Sequence, residues 1–258
     1  MIPKVLHYCW FGKQKKTPLI NSCIASWKKI LPDYEIIEWN ELNSDLSHPF
    51  AAEAYKLKKW AFVSDFIRLK ILYENGGIYL DTDMMMVKSL TGLLSDACFF
   101  GAEDENWISA GIIACVKKHF FIEACLGIYD TINLVESTNF YEISIPLLIT
   151  KIYRKKCSST FFKNKVETNN VVVYPMSYFY PFPNSAKNDV KNYKNYIVET
   201  TYAVHLWNAS WVEYDEFYYL RNRKYLKSFS KIVKTLLVTR NFNLYYFKRI
   251  YYNFLKSL

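Results

Sequence analysis

The chain has 258 residues, 51% apolar and 18% aromatic, which excludes a disordered or low-complexity polymer and suits one α/β domain with a large core. Its net charge of +9 is uneven, because residues 217–258 carry ten Lys or Arg and no Asp or Glu, leaving 23 basic against 24 acidic side chains in residues 1–216. No apolar run approaches the roughly 18 residues of a membrane span and no secretion signal is evident, so neither a spanning helix nor export is expected.

Residues 4–10 (KVLHYCW) read as a strand, expected at the centre of the sheet, with a turn at Phe11, Gly12 and Lys13. Residues 19–31 carry Ile20, Cys23, Ile24, Trp27 and Leu31 at helical spacing and stop at Pro32. Residues 34–40 (YEIIEWN) form a second strand, so the chain opens with a Rossmann-type βαβ unit. No G-x-G-x-x-G follows the first strand, which argues against a dinucleotide oxidoreductase and leaves a diphosphate to be held by metal. A helical connection is expected over residues 41–59.

Residues 60–83 (WAFVSDFIRLKILYENGGIYLDTD) organise the rest. Phe62, Phe66, Leu69 and Tyr73 mark one buried helix face, while Asp65, Arg68 and Leu72 share another. Gly76 and Gly77 end the helix, since glycine takes positive φ cheaply, and Ile78, Tyr79 and Leu80 make a short buried strand. Asp81 and Asp83 follow at its carboxyl end, where open α/β sheets bind ligands and where two alternate carboxylates suit a hard divalent cation, Mg²⁺ or Mn²⁺. With ten Asp in the chain, a D-x-D triplet is expected by chance about 0.4 times, so its context carries the weight. Taken alone, Asp65 and Arg68 also fit a surface i, i+3 ion pair.

Further strands are expected at 97–102 (ACFFGA) and 109–115 (SAGIIAC), with Gly111 where a backbone can approach a ligand. Between them lies an acidic turn of Glu103, Asp104, Glu105 and Asn106, read either as a solvated loop or as the source of a carboxylate for an acceptor hydroxyl. Helices follow at 119–130 and 142–153, the second interrupted early by Pro146, then a strand at 171–174. Residues 203–211 (AVHLWNASW) give a short strand with His205, a metal or phosphate contact or else a buried structural histidine. The six cysteines are scattered, with no C-x-x-C pair, and read as buried thiols in a reducing compartment. The expected division is 1–212 and 213–258.

The block S-D-x-x-R…G-G-I-Y-L-D-T-D, with I-P-K-x-x-H-x-x-W-x-G at the start and H-x-W-x-x-S-W at 205–211, resembles glycosyltransferases of family 32 and the sugar-binding region that contains the DXD motif. The glucosylating domains of large clostridial toxins are similar. The resemblance implies a GT-A-like mixed sheet flanked by helices, and a retaining transfer from a nucleotide sugar, expected to be uridine-linked, to a carbohydrate hydroxyl. It puts Trp10 on the base, which otherwise would be core, Asp65 on the ribose, Arg68 on the donor sugar or diphosphate, and Asp81, Asp83 and His205 on Mn²⁺ or Mg²⁺. Ser210 and Trp211 would close over the diphosphate, and Asp83, Arg68 and Asp104 are the catalytic candidates. Where relatives carry T-G-P, this chain has Ser144, Ile145 and Pro146, which puts acceptor contacts in doubt. His7 and the aromatics of 178–182 read as structural.

The tail repeats apolar residues at helical spacing with lysines between. It fits an anionic membrane surface, packing on the catalytic domain, or nucleic acid, for which no motif is present. With the resemblance, the expectation is a peripheral enzyme at the cytoplasmic face of the cell membrane, acting on a lipid-linked oligosaccharide in capsule or O-antigen synthesis. The rivals are a haloacid-dehalogenase-type phosphatase with Asp81 as nucleophile and a noncatalytic glycan- or membrane-binding module.

Overall fold

The computed structural model describes residues 1–135, 138, 142–157, 161–208, 216–221, 223–239 and 244–255. It divides into two compact units, Met1–Asn208 and Ala209–Leu258. The first contains β1 (Val5–Cys9), α1 (Pro18–Ile30), β2 (Glu35–Trp39), α2 (Pro49–Lys56), α3 (Trp60–Asn75), β3 (Gly77–Leu80) and β4 (Met84–Met86). It continues with β5 (Cys98–Ala102), β6 (Ile108–Cys115), α4 (Phe120–Leu126), α5 (Ile145–Cys157), β7 (Val166–Thr168), β8 (Val171–Tyr174) and β9 (Ala203–His205).

Seven strands form a mixed sheet in the order β2-β1-β3-β6-β5-β8-β7, and β4 pairs with β9 in a separate ribbon. The α/β class and the helix-flanked mixed sheet are as expected. The first strand is not central: β1 lies one place from the edge, between β2 and β3, and β6 takes the middle. The early βαβ unit builds outward to β2, while the strands that cover β3 come from later chain. β1, β2, β3, β5 and β8 run one way and β6 and β7 the other. The carboxyl ends of β1, β3 and β5 therefore open on one edge, beside the start of β6.

Both sheet faces are buried. Tyr79, Phe100 and Ile113 join α2, α3, α4 and α5 in one core, and Ile78, Leu80, Phe99 and Ile112 join α1 and the β4–β9 ribbon in the other, as the two-residue alternation of strands requires. α1 starts where Thr17 Oγ1 accepts the Ile20 N–H at 3.3 Å, with Pro18 at its first position. α3 is buried on nearly every side, Asp65 and Arg68 included. Gly76 (φ 69°) and Gly77 (φ 100°) end it, and a Cβ on Gly77 would lie 2.7 Å from the Val5 carbonyl. Pro146 does not interrupt α5. It is the second residue of that helix, where a missing N–H costs no hydrogen bond. The helix expected over 119–130 ends at Leu126, and a 3₁₀ turn covers Tyr129–Thr131. All six cysteines are buried and free.

The second unit holds α6 (Glu216–Arg221), α7 (Tyr225–Thr239) and α8 (Leu244–Leu255). Glu216 is buried among them. Its carboxylate accepts from Tyr246 Oη at 2.5 Å and its carbonyl from Ser228 Oγ at 2.8 Å. Among the described residues, no helix is long and apolar enough to cross a membrane.

Candidate metal and donor site

Asp81 leaves β3 with its N–H donating to the Gly111 carbonyl at 2.8 Å. Its Oδ1 accepts from Tyr79 Oη at 3.0 Å and from Arg68 Nη1 at 3.1 Å. Tyr79 reaches it because residues two apart in a strand share a face. The Arg68 guanidinium lies 4.4 Å over the Tyr79 ring. It also donates to the carbonyls of Ala110 (2.7 Å) and Ser64 (3.2 Å) and pairs with Asp65 at 2.9 Å. Asp65 and Arg68 thus form a buried ion pair, not a surface one, and Arg68 ties α3 to the first carboxylate. Burial pushes the Asp65 carboxyl up to about 7, against the pull of Arg68 and with the push of Asp81.

Asp83 is held differently. Its Oδ1 lies 3.1 Å from His205 Nε2, and its Oδ2 accepts the Asn208 N–H at 2.7 Å. The β4–β9 ribbon, with Met84 opposite His205, makes this possible, and the Leu206 N–H donates to the Asp83 carbonyl at 3.0 Å. Trp207 then adopts φ 53°, a left-handed turn that a bulky residue takes only when its surroundings hold it there. Its indole N–H donates to the Phe182 carbonyl at 2.7 Å, and its ring meets His205 edge-on at 4.2 Å. Tyr180, from the aromatic run read as structural, packs against His205 at 5.6 Å. Burial alone would raise the Asp83 carboxyl, but His205 and the Asn208 N–H outweigh it and hold it below its usual range. Burial likewise opposes the His205 charge, and Asp83 overcomes it, raising the imidazole.

One ligand atom from each of Asp81, Asp83 and His205 can be chosen so that all three lie within 4.8 Å of one another. Among the described residues, His205 Nδ1 and Asn208 Nδ2 are buried without a hydrogen-bond partner, an arrangement that costs free energy unless something else satisfies it. Two carboxylates and an imidazole suit a divalent cation such as Mn²⁺. The residues therefore fit a metal. Gly111 keeps the space open, since a Cβ there would lie 3.3 Å from Asp81 Oδ2 and 3.0 Å from Tyr180 Oη.

Trp10 follows β1 half-buried, its indole N–H on the Gln14 carbonyl at 2.7 Å and Lys16 Nζ 5.3 Å from its ring. Asp104 is exposed. Its Oδ1 accepts the N–H groups of Asn106 (2.7 Å) and Trp107 (3.0 Å) and so fixes the β5–β6 turn. Glu103, its neighbour, is half-buried; burial raises its carboxyl while His205 draws it down, so Glu103 is the acidic-turn residue that His205 feels. Ser210 and Trp211 lie outside the described residues. Sequence reasoning gave no role to Tyr79, Tyr180 or Asn208. The strand period signals Tyr79, and nothing in the sequence signals Tyr180.

Fold and site define an α/β domain with a candidate divalent-cation centre at the carboxyl ends of its strands. Two family models match it: the glycosyltransferase sugar-binding region containing the DXD motif over residues 18–100, and the alpha 1,4-glycosyltransferase conserved region over residues 116–231. Over both regions the chain is similar to glycosyltransferases. It is 29% identical over 159 residues to lactosylceramide 4-alpha-galactosyltransferase of Mus musculus, covering 57% of this chain and 40% of the relative. Alpha-1,4-N-acetylglucosaminyltransferase of Homo sapiens is 27% identical over 192 residues, 70% of this chain and 50% of the relative. An uncharacterized glycosyltransferase of Acanthamoeba polyphaga mimivirus is 26% identical over 230 residues, 82% and 84%. The chain thus spans about two fifths of the length of the first of these relatives.

Proposed function

We propose that the chain transfers a hexosyl or N-acetylhexosaminyl group from a uridine diphosphate sugar to a hydroxyl of a lipid-anchored oligosaccharide, with retention. The observation that carries this is the convergence of Asp81, Asp83 and His205 beside two unsatisfied buried nitrogens. The names of two relatives add that both make α linkages and that one acts on lactosylceramide, a glycolipid. UDP-galactose and UDP-N-acetylglucosamine carry their sugars in α linkage, so an α product means retention.

In this reading Asp81, Asp83 and His205 hold Mn²⁺ or Mg²⁺, which when bound supplies positive charge against the donor diphosphate. Trp10 stacks on the base, a contact worth roughly 1–3 kcal/mol, and Asp65 meets the ribose. Arg68 acts through Asp81, fixing one carboxylate oxygen so that the other faces the site. The bond from the anomeric carbon to the β-phosphate oxygen breaks with its electron pair going to the diphosphate, and the acceptor oxygen bonds to the same face of that carbon. The acceptor's proton leaves to the departing phosphate oxygen, while Glu103 or Asp104 orients the hydroxyl. Surface-glycan assembly at the inner face of a cell membrane is the setting we favour.

The test is binding and slow hydrolysis of UDP-, GDP- and CMP-sugars, with and without Mn²⁺, by wild type and Asp83→Asn. Metal-dependent release of UDP from one donor, lost in the variant, supports the reading. No donor binding in the presence of Mn²⁺ overturns it, and release of phosphate from an aryl phosphate would favour the phosphatase.

A further inference from the structure

The second unit buries a polar cluster: Glu216, Ser228 and Asn253 are buried beside Leu220, with Tyr246 and Ser228 hydrogen-bonded to Glu216. It also leaves large apolar side chains exposed. On α7, Leu226, Phe229, Val233 and Leu237 recur at spacings that place them within one arc of about 80° of the helix, and Leu226, Phe229 and Leu237 are 90%, 68% and 73% exposed. On α8, Leu244, Phe247, Tyr251 and Leu255 repeat the same spacing, with Leu244 and Tyr251 71% and 65% exposed. Water gives no reason to display two such stripes, since large contiguous apolar surface marks an interaction site.

The surroundings of the stripes say what covers them. Lys227, Lys231 and Lys234, with Ser230, Tyr219 and Leu226, line an open cleft of about 420 Å³ beside the α7 stripe. Lys248 is exposed next to the α8 stripe. Residues 217–258 contain no acidic side chain. A second copy of α7 and α8 would have to bury these lysines against groups of opposite sign, and residues 217–258 offer none. A surface that is apolar below and anionic above satisfies both features at once: acyl chains take the stripe and headgroup phosphates take the lysines.

We propose that α7 carries a preassembled membrane-docking face, with Leu226, Phe229, Val233 and Leu237 entering an anionic phospholipid leaflet and Lys227, Lys231 and Lys234 meeting its phosphates. The polar cluster at Glu216 fixes the helices so that the stripe is presented before contact, which removes the folding cost that a disordered basic tail bears on binding. This deepens the lipid-anchored-acceptor reading by naming the surface that brings the enzyme to its acceptor.

The experiment is sedimentation of the full chain with phosphatidylcholine vesicles, and with vesicles in which about one third of the lipid is phosphatidylglycerol. No nucleotide sugar is present, so a chain that docks but releases no UDP fails the transferase reading alone. Wild type should pellet with the anionic vesicles and stay in solution with the neutral ones. Leu226→Glu/Phe229→Glu/Leu237→Glu should abolish pelleting with an unchanged circular dichroism spectrum, because all three side chains are exposed. Lys227→Gln/Lys231→Gln/Lys234→Gln should weaken partitioning about a hundredfold, each lysine near an anionic surface contributing a several-fold gain. Wild type left in the supernatant, or either variant pelleting like wild type, overturns the proposal. So does a wild-type dimer that the glutamate variant converts to monomer, which would make a second copy the occupant of the stripes.

Discussion

The two carboxylates of the D-x-D pair stand two residues apart and are held in opposite ways. Asp81 is fastened by side chains from its own neighbourhood, Tyr79 on the same strand and Arg68 on the preceding helix, and Arg68 in turn spends its donors on Asp65 and two carbonyls. Asp83 is fastened by chain that arrives more than a hundred residues later, the His205 ring and the Asn208 N–H. On the Asp81 side Tyr79 Oη and the Arg68 guanidinium find protein partners, whereas on the Asp83 side His205 Nδ1 and Asn208 Nδ2 do not. The first half is scaffold and the second is receptive. A buried network closed on itself adds rigidity, and buried groups left unmatched mark the place where a ligand completes the structure.

The largest effect on turnover should come from the receptive half. Asp83→Asn keeps an oxygen for the Asn208 N–H but removes a charge from the cation site, and turnover should fall by about 10²–10³, the cost of deleting one well-aimed electrostatic group. Its melting temperature should stay within a few degrees of wild type. A large thermal loss in Asp83→Asn would show that this half is scaffold too. The scaffold half should answer the other way. Arg68→Met leaves Asp65 buried without its cation and takes a partner from the half-buried Asp81, which costs about 3–5 kcal/mol and should appear in urea unfolding with no metal or donor present. Asp65→Asn in the same chain should return part of that stability, because it removes the buried charge that Arg68→Met strands. If Arg68→Met unfolds like wild type, the division between the halves is wrong.

The same division explains what could be read from the sequence. The Asp81 half lies within residues 65–81, so helix spacing, the two glycines and the strand period bring Asp65, Arg68 and Asp81 together without knowledge of the rest of the fold. That α3 is buried all round was not legible, because its second face is covered by elements from elsewhere in the chain. The H-x-W stretch marked His205 as a candidate, but pairing Met84 with His205 depends on a ribbon closed across the whole domain, and no local pattern encodes it. β1 was misplaced for the same reason, since strand order beyond a βαβ unit is set by long-range packing. Asp104 and Glu103 were indistinguishable as neighbours in an acidic turn. Only the fold shows that Asp104 closes the turn while Glu103 is half-buried.

Gly111 lies between the halves, and enlarging it probes both. In Gly111→Ala the new Cβ would sit 3.0 Å from Tyr180 Oη and 3.3 Å from Asp81 Oδ2. Asp81 is pinned through its other oxygen, so the strain should fall on the receptive side. We expect metal affinity, read by calorimetry with Mn²⁺ alone, to drop about tenfold, and stability to fall by about 1 kcal/mol, the lower end for overpacking. A stability loss of several kcal/mol with unchanged Mn²⁺ binding would place Gly111 in the scaffold instead.

The smallest expected effect separates the two histidines. His7 is fully matched: Nε2 lies 3.0 Å from the Gly76 carbonyl, and Nδ1 accepts from Trp39 Nε1 at 3.1 Å. An indole can only donate, so Nδ1 carries no proton and the neutral ring is the one that fits. Burial lowers the His7 pKa below its usual 6.5, with the Gly76 carbonyl pulling weakly the other way. The unfolded chain therefore takes up the His7 proton at a higher pH than the folded one. This part of the stability is complete above pH 6.5 and declines as pH falls from there toward the folded value. His7→Gln can still donate to Gly76 but cannot titrate. It should cost about 1 kcal/mol at pH 7.5 for the bond lost to Trp39, and its stability should fall less than that of wild type between pH 6.5 and 5 in urea titrations. A variant that loses stability over this interval as steeply as wild type would mean that the acid sensitivity lies elsewhere, and that His7 is not the spent counterpart of His205.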